Sequence, residues 1–290
     1  GDEDVLIIEY GEEGPGDVGR FASVTHPDIG IITGLAPAHL NSYPTLKAAG
    51  ADIFSLEEYV GAENLYVNKD SEAANDFIKE KHNTYDSSKT LGWKISDIKI
   101  DFGKTSFVMK KDNQVMKLES ELMGRHQVGP LAFAAALARK LGLDYKQVKK
   151  GISKTTAFDH RMQPRKLAGA WIIDDTYNGN IDGMKAGLRL LNELPGKRKI
   201  YVTPGLVDQG IETERVHLDL GQAIASAKPD KVVLMYNSTT RFIQNGLDIG
   251  NYKGKVQIEH YPLDFYANLE HIIASGDIVM MQNDWTDNYG

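Results

Sequence analysis

The stretch Trp171-Ile172-Ile173-Asp174-Asp175-Thr176-Tyr177-Asn178 decides the fold of the second half of this chain. A short apolar run leads directly into two carboxylates and a polar turn. Runs of this kind are typical of strands that are buried on both faces of a parallel sheet. Such sheets place their functional groups beyond the carboxyl ends of the strands. The sequence therefore predicts a buried strand with an acidic site at its end.

Similar apolar runs follow along the chain, each separated from the next by a segment with helical patterning. Alternating strands and helices are typical of α/β folds with a parallel sheet. We therefore predict a Rossmann-like α/β domain over 155–290. Its predicted strands cover 171–174, 199–203, 231–235 and 277–282, and its predicted helices cover 181–193, 212–227, 238–246 and 264–274.

The first half of the chain, 1–154, is predicted to be a second α/β domain. Alternation of apolar and polar residues over 91–120 indicates antiparallel ribbons. A proline in the first turn and Gly142 beyond the end mark a helix over 130–142. The remaining predicted elements are buried strands at 5–9, 29–33 and 64–68 and a polar helical segment at 71–82.

Composition excludes several classes of function. The 290 residues contain no cysteine, which excludes disulfides, thiolate catalysis and cysteine-ligated zinc and fits a cytoplasmic protein. A net charge of −7 gives no electrostatic reason to expect a nucleic-acid partner. The apolar runs have the length of strands and are too short to span a bilayer, so we expect no membrane insertion. We expect a monomer.

Two motifs upstream of the acidic pair give it a chemical context. Arg161 lies thirteen residues before Asp174, within Asp159-His160-Arg161-Met162-Gln163, and Gly124-Arg125-His126-Gln127-Val128-Gly129-Pro130 precedes both. A guanidinium pairs with phosphate, and a carboxylate accepts hydrogen bonds from hydroxyl groups. In this order the motifs resemble the nucleotide-facing motifs of the Mur ligases, which extend the peptide stem of bacterial cell-wall precursors.

The resemblance implies roles on the nucleotide side. Arg161 would approach the phosphates and ribose of ATP, Asp175 would accept from the ribose hydroxyls, and Tyr177 and Asn178 would flank the nucleotide. Gln127 stands where the family has an asparagine that contacts adenine. A glutamine amide offers the same donor and acceptor, but a plain polar residue at a helix entry is an equally good interpretation.

The resemblance also implies a magnesium side. Glu9-Tyr10-Gly11 is similar to the family's Glu-Leu-Gly, whose glutamate holds Mg²⁺, and oxygen ligands suit this ion. His39, in Thr33-Gly34-Leu35-Ala36-Pro37-Ala38-His39-Leu40, matches a histidine at the second magnesium and the acyl-phosphate site. Lys47 is the candidate for the family's carbamylated lysine, although it lies earlier than that lysine usually does. A surface lysine is the alternative.

The fold class implied is α/β, with the rear part of a Mur ligase central ATPase domain followed by the C-terminal Rossmann-like domain. The activity implied is ADP-forming amide ligation with ATP and Mg²⁺. The partners implied are a UDP-N-acetylmuramoyl-peptide and D-alanyl-D-alanine or an amino acid. The run over 276–289 is most similar to members that add D-alanyl-D-alanine.

A phosphate loop, Gly-x-x-x-x-Gly-Lys-Ser/Thr, does not occur in the 290 residues. Gly103-Lys104-Thr105 contains part of it, but its flanks predict a β-ribbon, whereas a phosphate loop opens a helix. We therefore expect that the front part of the ligase lies outside this sequence and that the chain alone is inactive. Two alternatives stay open: a related folylpolyglutamate-type or cyanophycin-type ligase, and a degenerate binding module without catalysis.

Overall fold

The structure is a computed structural model that describes residues 4–36, 42–177, 179–207 and 209–283. Contacts group the chain into two compact units, residues 1–84 and 85–290. The boundary predicted at residue 154 lies inside the second unit and stays a prediction. The predicted α/β class is confirmed, because both units combine strands with helices.

The first unit is built around two parallel strands. Strand β1 pairs with β2, with Ile32 opposite Val67. Helix α2 begins after Thr45, whose hydroxyl accepts a hydrogen bond from the backbone N–H of Ala48 at 3.1 Å. This cap satisfies one of the unpaired donors at the start of the helix. The elements of the unit are α1 (Asp17–Thr25), β1 (Gly30–Ile32), α2 (Leu46–Phe54), α3 (Glu57–Val60) and β2 (Leu65–Asn68).

Two predictions for the first unit are wrong. Residues 5–9 form no strand, and the side chains of Leu6 and Ile7 are 79% and 87% exposed. An apolar run becomes a buried strand only where neighbouring elements cover it and pair with it, and the described residues do not cover this one. Over 71–82 the structure has a single 3₁₀ helix, Ala73–Phe77, in place of a longer helix, and strand β3 (Asn83–Tyr85) follows.

The second unit begins with the predicted antiparallel ribbons. Three strands form a meander whose apolar face packs on helices α4 and α5. Gly142 follows α4 with a φ of +100°, a conformation that favours glycine, as the sequence indicated. The bounds are β4 (Lys89–Thr90), β5 (Trp93–Asp101), β6 (Lys104–Lys111), β7 (Gln114–Ser120), α4 (Val128–Lys140) and α5 (Tyr145–Ile152).

A six-stranded sheet forms the rest of this unit. All four predicted strands are present, and the structure adds an edge strand at each side. The order is β12-β11-β10-β13-β9-β8, in which only β8 is antiparallel to its neighbour. The strands are β8 (Gln163–Leu167), β9 (Ala170–Asp175), β10 (Arg198–Thr203), β11 (Lys231–Met235), β12 (Lys255–Glu259) and β13 (Asp277–Gln282).

Helices cover both faces of the sheet. Helices α6, α7 and α8 pack on one face and bury Ile173, Tyr201 and Met280, whereas α9 and α10 cover the other. Cover on both faces explains why the central strands read as unbroken apolar runs. The helices are α6 (Ile181–Glu193), α7 (Thr213–Ala227), α8 (Thr240–Ile249), α9 (Pro262–Ala267) and α10 (Leu269–Ile272).

Candidate functional site

The carboxyl edge of the six-stranded sheet carries a cluster of polar side chains. Asp175 ends β9, and Gln282, at the end of the neighbouring β13, lies directly opposite it in the parallel register. Parallel strands present their carboxyl ends at one edge, where open α/β sheets bind ligands. The predicted acidic site is therefore located at this edge of the sheet.

Asp175 is held at both carboxylate oxygens. Its Oδ1 accepts from the backbone N–H of Met162 at 3.1 Å, and its Oδ2 accepts from Gln282 Nε2 at 2.8 Å. Burial raises the pKa of Asp175 to about 6, against the lowering effects of these two donors and of the Arg161 guanidinium. A carboxylate has about four lone-pair positions. Two therefore remain for a ligand, and near pH 7 most of the group is ionised.

The Asp174 carboxylate contacts the turn after β9, unlike the carboxylate of Asp175. Its carboxylate accepts from the Thr176 hydroxyl at 2.7 Å and the Thr176 N–H at 3.3 Å, and it lies 3.1 Å from His160 Nδ1. These contacts close the turn after β9 and attach it to the loop before β8. Asp174 is thus a structural residue of the corner, and Asp175 is the one available to a ligand.

Arg161 and Tyr177 lie together beside this corner. The guanidinium carbon is 4.4 Å from the centre of the Tyr177 ring, the geometry of a cation–π contact. Left-handed backbone at His160 and Met162 turns the loop, and the Tyr177 N–H donates to the His160 carbonyl at 3.2 Å. Tyr177 is 63% exposed. The site therefore presents a cation and an aromatic ring to solvent, together with an adjacent carboxylate.

Gln127 lies at the end of a 3₁₀ helix, Arg125–Gln127, just before α4. Its Nε2 is 3.1 Å from His126 Nε2, and burial lowers the pKa of His126 to about 4, so this ring is neutral near pH 7. Arg125 pairs with Glu193 of α6 at 2.8 Å and ties the turn to the sheet's helical layer. The role of Gln127 toward adenine stays a prediction.

Two family models match this chain. The Mur ligase middle domain matches residues 1–138, and the Mur ligase glutamate ligase domain matches residues 160–282. This chain belongs to the Mur ligase family. Both matches follow the order in which the motifs occur along the sequence, and together they account for most of the 290 residues.

Individual Mur ligases give the same result. The UDP-N-acetylmuramoyl-tripeptide--D-alanyl-D-alanine ligase of Escherichia coli is 28% identical over 241 residues, which cover 79% of this chain and 52% of the relative. The enzyme of that name from Bacillus subtilis is 24% identical over 292 residues, covering 96% of this chain and 61% of the relative. The chain thus spans between half and two thirds of the length of these relatives.

Solved structures confirm the fold. MurF from Thermotoga maritima in complex with ADP matches with a TM-score of 0.78 at 17% identity, covering 94% of this chain and 62% of that one. MurF from Acinetobacter baumannii matches with a TM-score of 0.76 at 18% identity, covering 94% and 60%. These similarities show that the chain has the Mur ligase architecture.

Of the three residues predicted for the magnesium side of a Mur ligase, Glu9 and Lys47 lie in described parts of the chain. Glu9 is exposed in the segment without regular structure, and Lys47 is exposed in the first turn of α2. His39 lies outside the described residues. Across 4–36, 42–177, 179–207 and 209–283 no group of three or more acidic, histidine or cysteine side chains could hold a metal ion. The magnesium role of Glu9, His39 and Lys47 stays a prediction.

Asn178, which was predicted to flank the nucleotide, lies outside the described residues as well, and so do residues 284–289 of the run that resembles D-alanyl-D-alanine-adding members. Of the predicted nucleotide-side residues, Arg161, Asp175 and Tyr177 are brought together by the structure.

Sequence reasoning missed several residues around this cluster. Gln282 could have been found by the signal that pointed to Asp175, because it too is polar and ends a buried strand at the same edge. Nothing in the sequence indicates that the Tyr201 hydroxyl donates to Gln282 or that His160 contacts Asp174. His217, which is also buried, is structural: its Nε2 accepts from the Leu206 N–H at 2.9 Å, and its Nδ1 donates to a backbone carbonyl of α7.

Within the described ranges, no helix is long and apolar enough to cross a membrane.

Proposed function

We propose that this chain forms the nucleotide-binding rear part of an ATP-dependent, ADP-forming amide ligase of peptidoglycan precursor synthesis. The acceptor would be a UDP-N-acetylmuramoyl-peptide, and the incoming amine would be D-alanyl-D-alanine or an amino acid. The names of the relatives support these substrates over the folylpolyglutamate and cyanophycin classes. The proposal places the protein in the cytoplasm, in agreement with a chain without cysteine.

The observation that carries the proposal is the fixed carboxylate of Asp175 beside Arg161 and Tyr177. Two hydroxyls of a ribose can donate to the two lone-pair positions that Asp175 keeps free. The exposed guanidinium of Arg161 can pair with phosphate oxygens, for which its planar fork is suited. The cluster thus offers complementary groups to both the sugar and the charged part of a nucleotide.

ATP would supply the phosphoryl group that activates the acceptor's carboxylate, and the amine would then displace phosphate to form the amide. The contribution of Asp175 and Arg161 is to bind and orient the nucleotide, which lowers the barrier by alignment. Magnesium, with Glu9, His39 and a carbamylated Lys47 as predicted partners, remains an expectation from the family resemblance, as does contact of Asn178 with the nucleotide.

The 290 residues do not contain the phosphate loop with which an ATP-driven ligase binds the phosphates of ATP. Because the 290 residues contain no phosphate loop, we expect the chain alone to bind nucleotide weakly and not to catalyse ligation. ATP turnover by the purified chain, with both substrates present, measures this directly. ATP turnover by the chain alone at a rate typical of enzymes, on the order of 1 per second or faster, would contradict the expectation that the chain alone is inactive.

Binding of ADP tests the nucleotide site itself. Ligand-observed NMR up to millimolar concentrations would compare ADP with its 2′-deoxy and 3′-deoxy analogues. The chain should prefer ADP, and Asp175→Asn should weaken ADP binding about tenfold and remove the preference, because an amide replaces a charged acceptor. Asp248→Asn, an exposed change on α8, is the matched control.

Two results would refute the nucleotide role of Asp175. One is equal binding of ADP and the deoxy analogues by the unchanged chain. The other is an Asp175→Asn variant that keeps the ribose preference. In a ligation assay of the intact enzyme, Asp175→Ala should mainly raise the KM for ATP, and an unchanged KM would also count against the role.

A further inference from the structure

Gln282 occupies an unusual position for an uncharged amide. It ends β13, the strand between β9 and β10, and it is 1% exposed. Its Nε2 donates to Asp175 Oδ2 at 2.8 Å and to the Gly183 carbonyl of α6 at 3.3 Å. Its Oε1 accepts from the hydroxyl of Tyr201, which is 0% exposed, at 3.0 Å. The amide therefore connects a fully buried phenol to the carboxylate of the site.

These partners allow only one orientation of the amide. The ionised Asp175 carboxylate and the Gly183 carbonyl can only accept, so the side of the amide that faces them has to be the NH₂ group. The Tyr201 hydroxyl then donates to the remaining oxygen. Rotating the amide by half a turn would place its oxygen against two acceptors in a buried location, which is strongly unfavourable. Tyr201 and Gly183 thus fix Gln282, and Gln282 fixes Asp175.

Helix α6 leaves space for this arrangement. A Cβ on Gly187 would lie 2.4 Å from Gln282 Nε2 and 2.5 Å from its Oε1, closer than real atoms approach. A glycine in the middle of a helix destabilises it by roughly 0.5–1 kcal/mol relative to alanine. At this position Gly187 leaves the space that the Gln282 amide occupies between α6 and the sheet.

We propose that Gln282 is a positioning residue for the nucleotide site, which holds the carboxylate of Asp175 toward the ribose and is itself oriented by Tyr201. The proposal rests on the proposed function, since it assigns Asp175 to a ribose. A carboxylate that is already fixed loses less freedom when a ligand binds, and supporting hydrogen bonds of this kind determine how well a site is preorganised.

The test compares variants at Gln282, Tyr201, Gly187 and Gln257 with the unchanged chain. Gln282→Met keeps the volume and removes the amide, and Tyr201→Phe removes only the hydroxyl that orients it. Gln257→Met is the matched control, because the Gln257 amide also donates to a carboxylate, Glu259, at 3.0 Å but on the edge strand β12. Circular dichroism would verify that each variant is folded.

The first readout is the dissociation constant for ADP by ligand-observed NMR at pH 7.5. We expect Gln282→Met to raise it about tenfold and to reduce the preference for ADP over its deoxy analogues. Tyr201→Phe should raise it about threefold, and Gln257→Met should change it less than twofold. Gly187→Ala, which leaves Gln282 in place but displaces its amide, should have the same effect as Gln282→Met if it folds.

The second readout needs no nucleotide. Carboxyl ¹³C NMR would follow the titration of Asp175, whose other neighbours are Arg161, Asp174 and Tyr201. Loss of the amide donor should raise the pKa of Asp175 in Gln282→Met above its value in the unchanged chain, because the donor favours the ionised form. A residue that only filled space would leave this titration unchanged.

The outcomes separate the two proposals. If the unchanged chain binds ADP with ribose preference and Gln282→Met binds it within twofold, or if the titration of Asp175 does not move, the positioning role is refuted and the proposed function stands. If the unchanged chain does not bind ADP, the proposed function fails and this inference fails with it.

Discussion

Replacing Asp175 with asparagine should remove a defined pH dependence from the stability of the chain. Burial raises the pKa of this carboxyl to about 6 in the folded protein, against about 3.9 for an aspartate in an unfolded chain. Between these two values the folded protein holds a proton that the unfolded chain has released. Stability is therefore lost as pH rises from about 4 to about 6.

The magnitude follows from the two pKa values. A difference of about two pKa units corresponds to about 3 kcal/mol of unfolding free energy. The asparagine variant has no such titration. Its side chain can still accept from the Met162 N–H, but its NH₂ group would face the NH₂ group of Gln282. That conflict lowers its stability by about 1–2 kcal/mol at every pH.

The assay is urea unfolding of both proteins at several pH values between 4 and 7.5, followed by tryptophan fluorescence. The stability of the variant minus that of the unchanged chain should increase by about 3 kcal/mol across this range. At neutral pH the variant should be the more stable protein even though it binds ADP less well. A flat difference, or one that decreases with pH, would refute the claim that burial of Asp175 dominates its electrostatics.

Three further substitutions test helix packing and the pH dependence of stability. Gly221→Ala should lower stability by about 3 kcal/mol or prevent folding, because the new Cβ would lie 2.2 Å from the Ile243 carbonyl oxygen where α7 meets α8. Gly151→Ala on α5, where no atom lies within 4 Å, should instead stabilise by up to about 1 kcal/mol, and thermal unfolding would measure both. Because burial lowers the pKa of His126 to about 4, stability should fall as pH drops from about 6.5 toward 4, by up to about 3 kcal/mol. His126→Gln should reduce that loss, and a variant with an unchanged pH profile would contradict the buried, neutral ring.

Strands that are buried on both faces were the easiest elements to predict. The four apolar runs of the second sheet all became strands, because cover on both faces requires apolar residues throughout. The edge strands β8 and β12 were missed because their sequences are mostly polar and they pair on one side only. For residues 5–9 a strand was predicted and none is present, because an apolar run forms a strand only where another strand pairs with it.

The sequence predicted the location of the candidate site and the types of residue that form it. The order of Arg161, the strand and the acidic pair identified the family and the edge of the sheet where the cluster lies. The sequence alone does not distinguish the carboxylates of Asp174 and Asp175. Only the resemblance to the family assigned the ribose contact to Asp175. His39 and Asn178 remain predictions from that resemblance.

The sequence by itself determined the α/β class, the family and the carboxyl edge at which the polar groups gather, because these follow from local apolar patterns and short motifs. The tertiary structure alone decided what each aspartate does. Successive side chains of a strand point to opposite faces, so Asp174 faces the corner made by His160 and Thr176, whereas Asp175 faces Gln282. Tyr201 and Gln282 lie 81 residues apart and 107 residues separate Gln282 from Asp175. Only the packing of distant strands and of α6 brings these groups together, and no local sequence pattern encodes contacts over such separations.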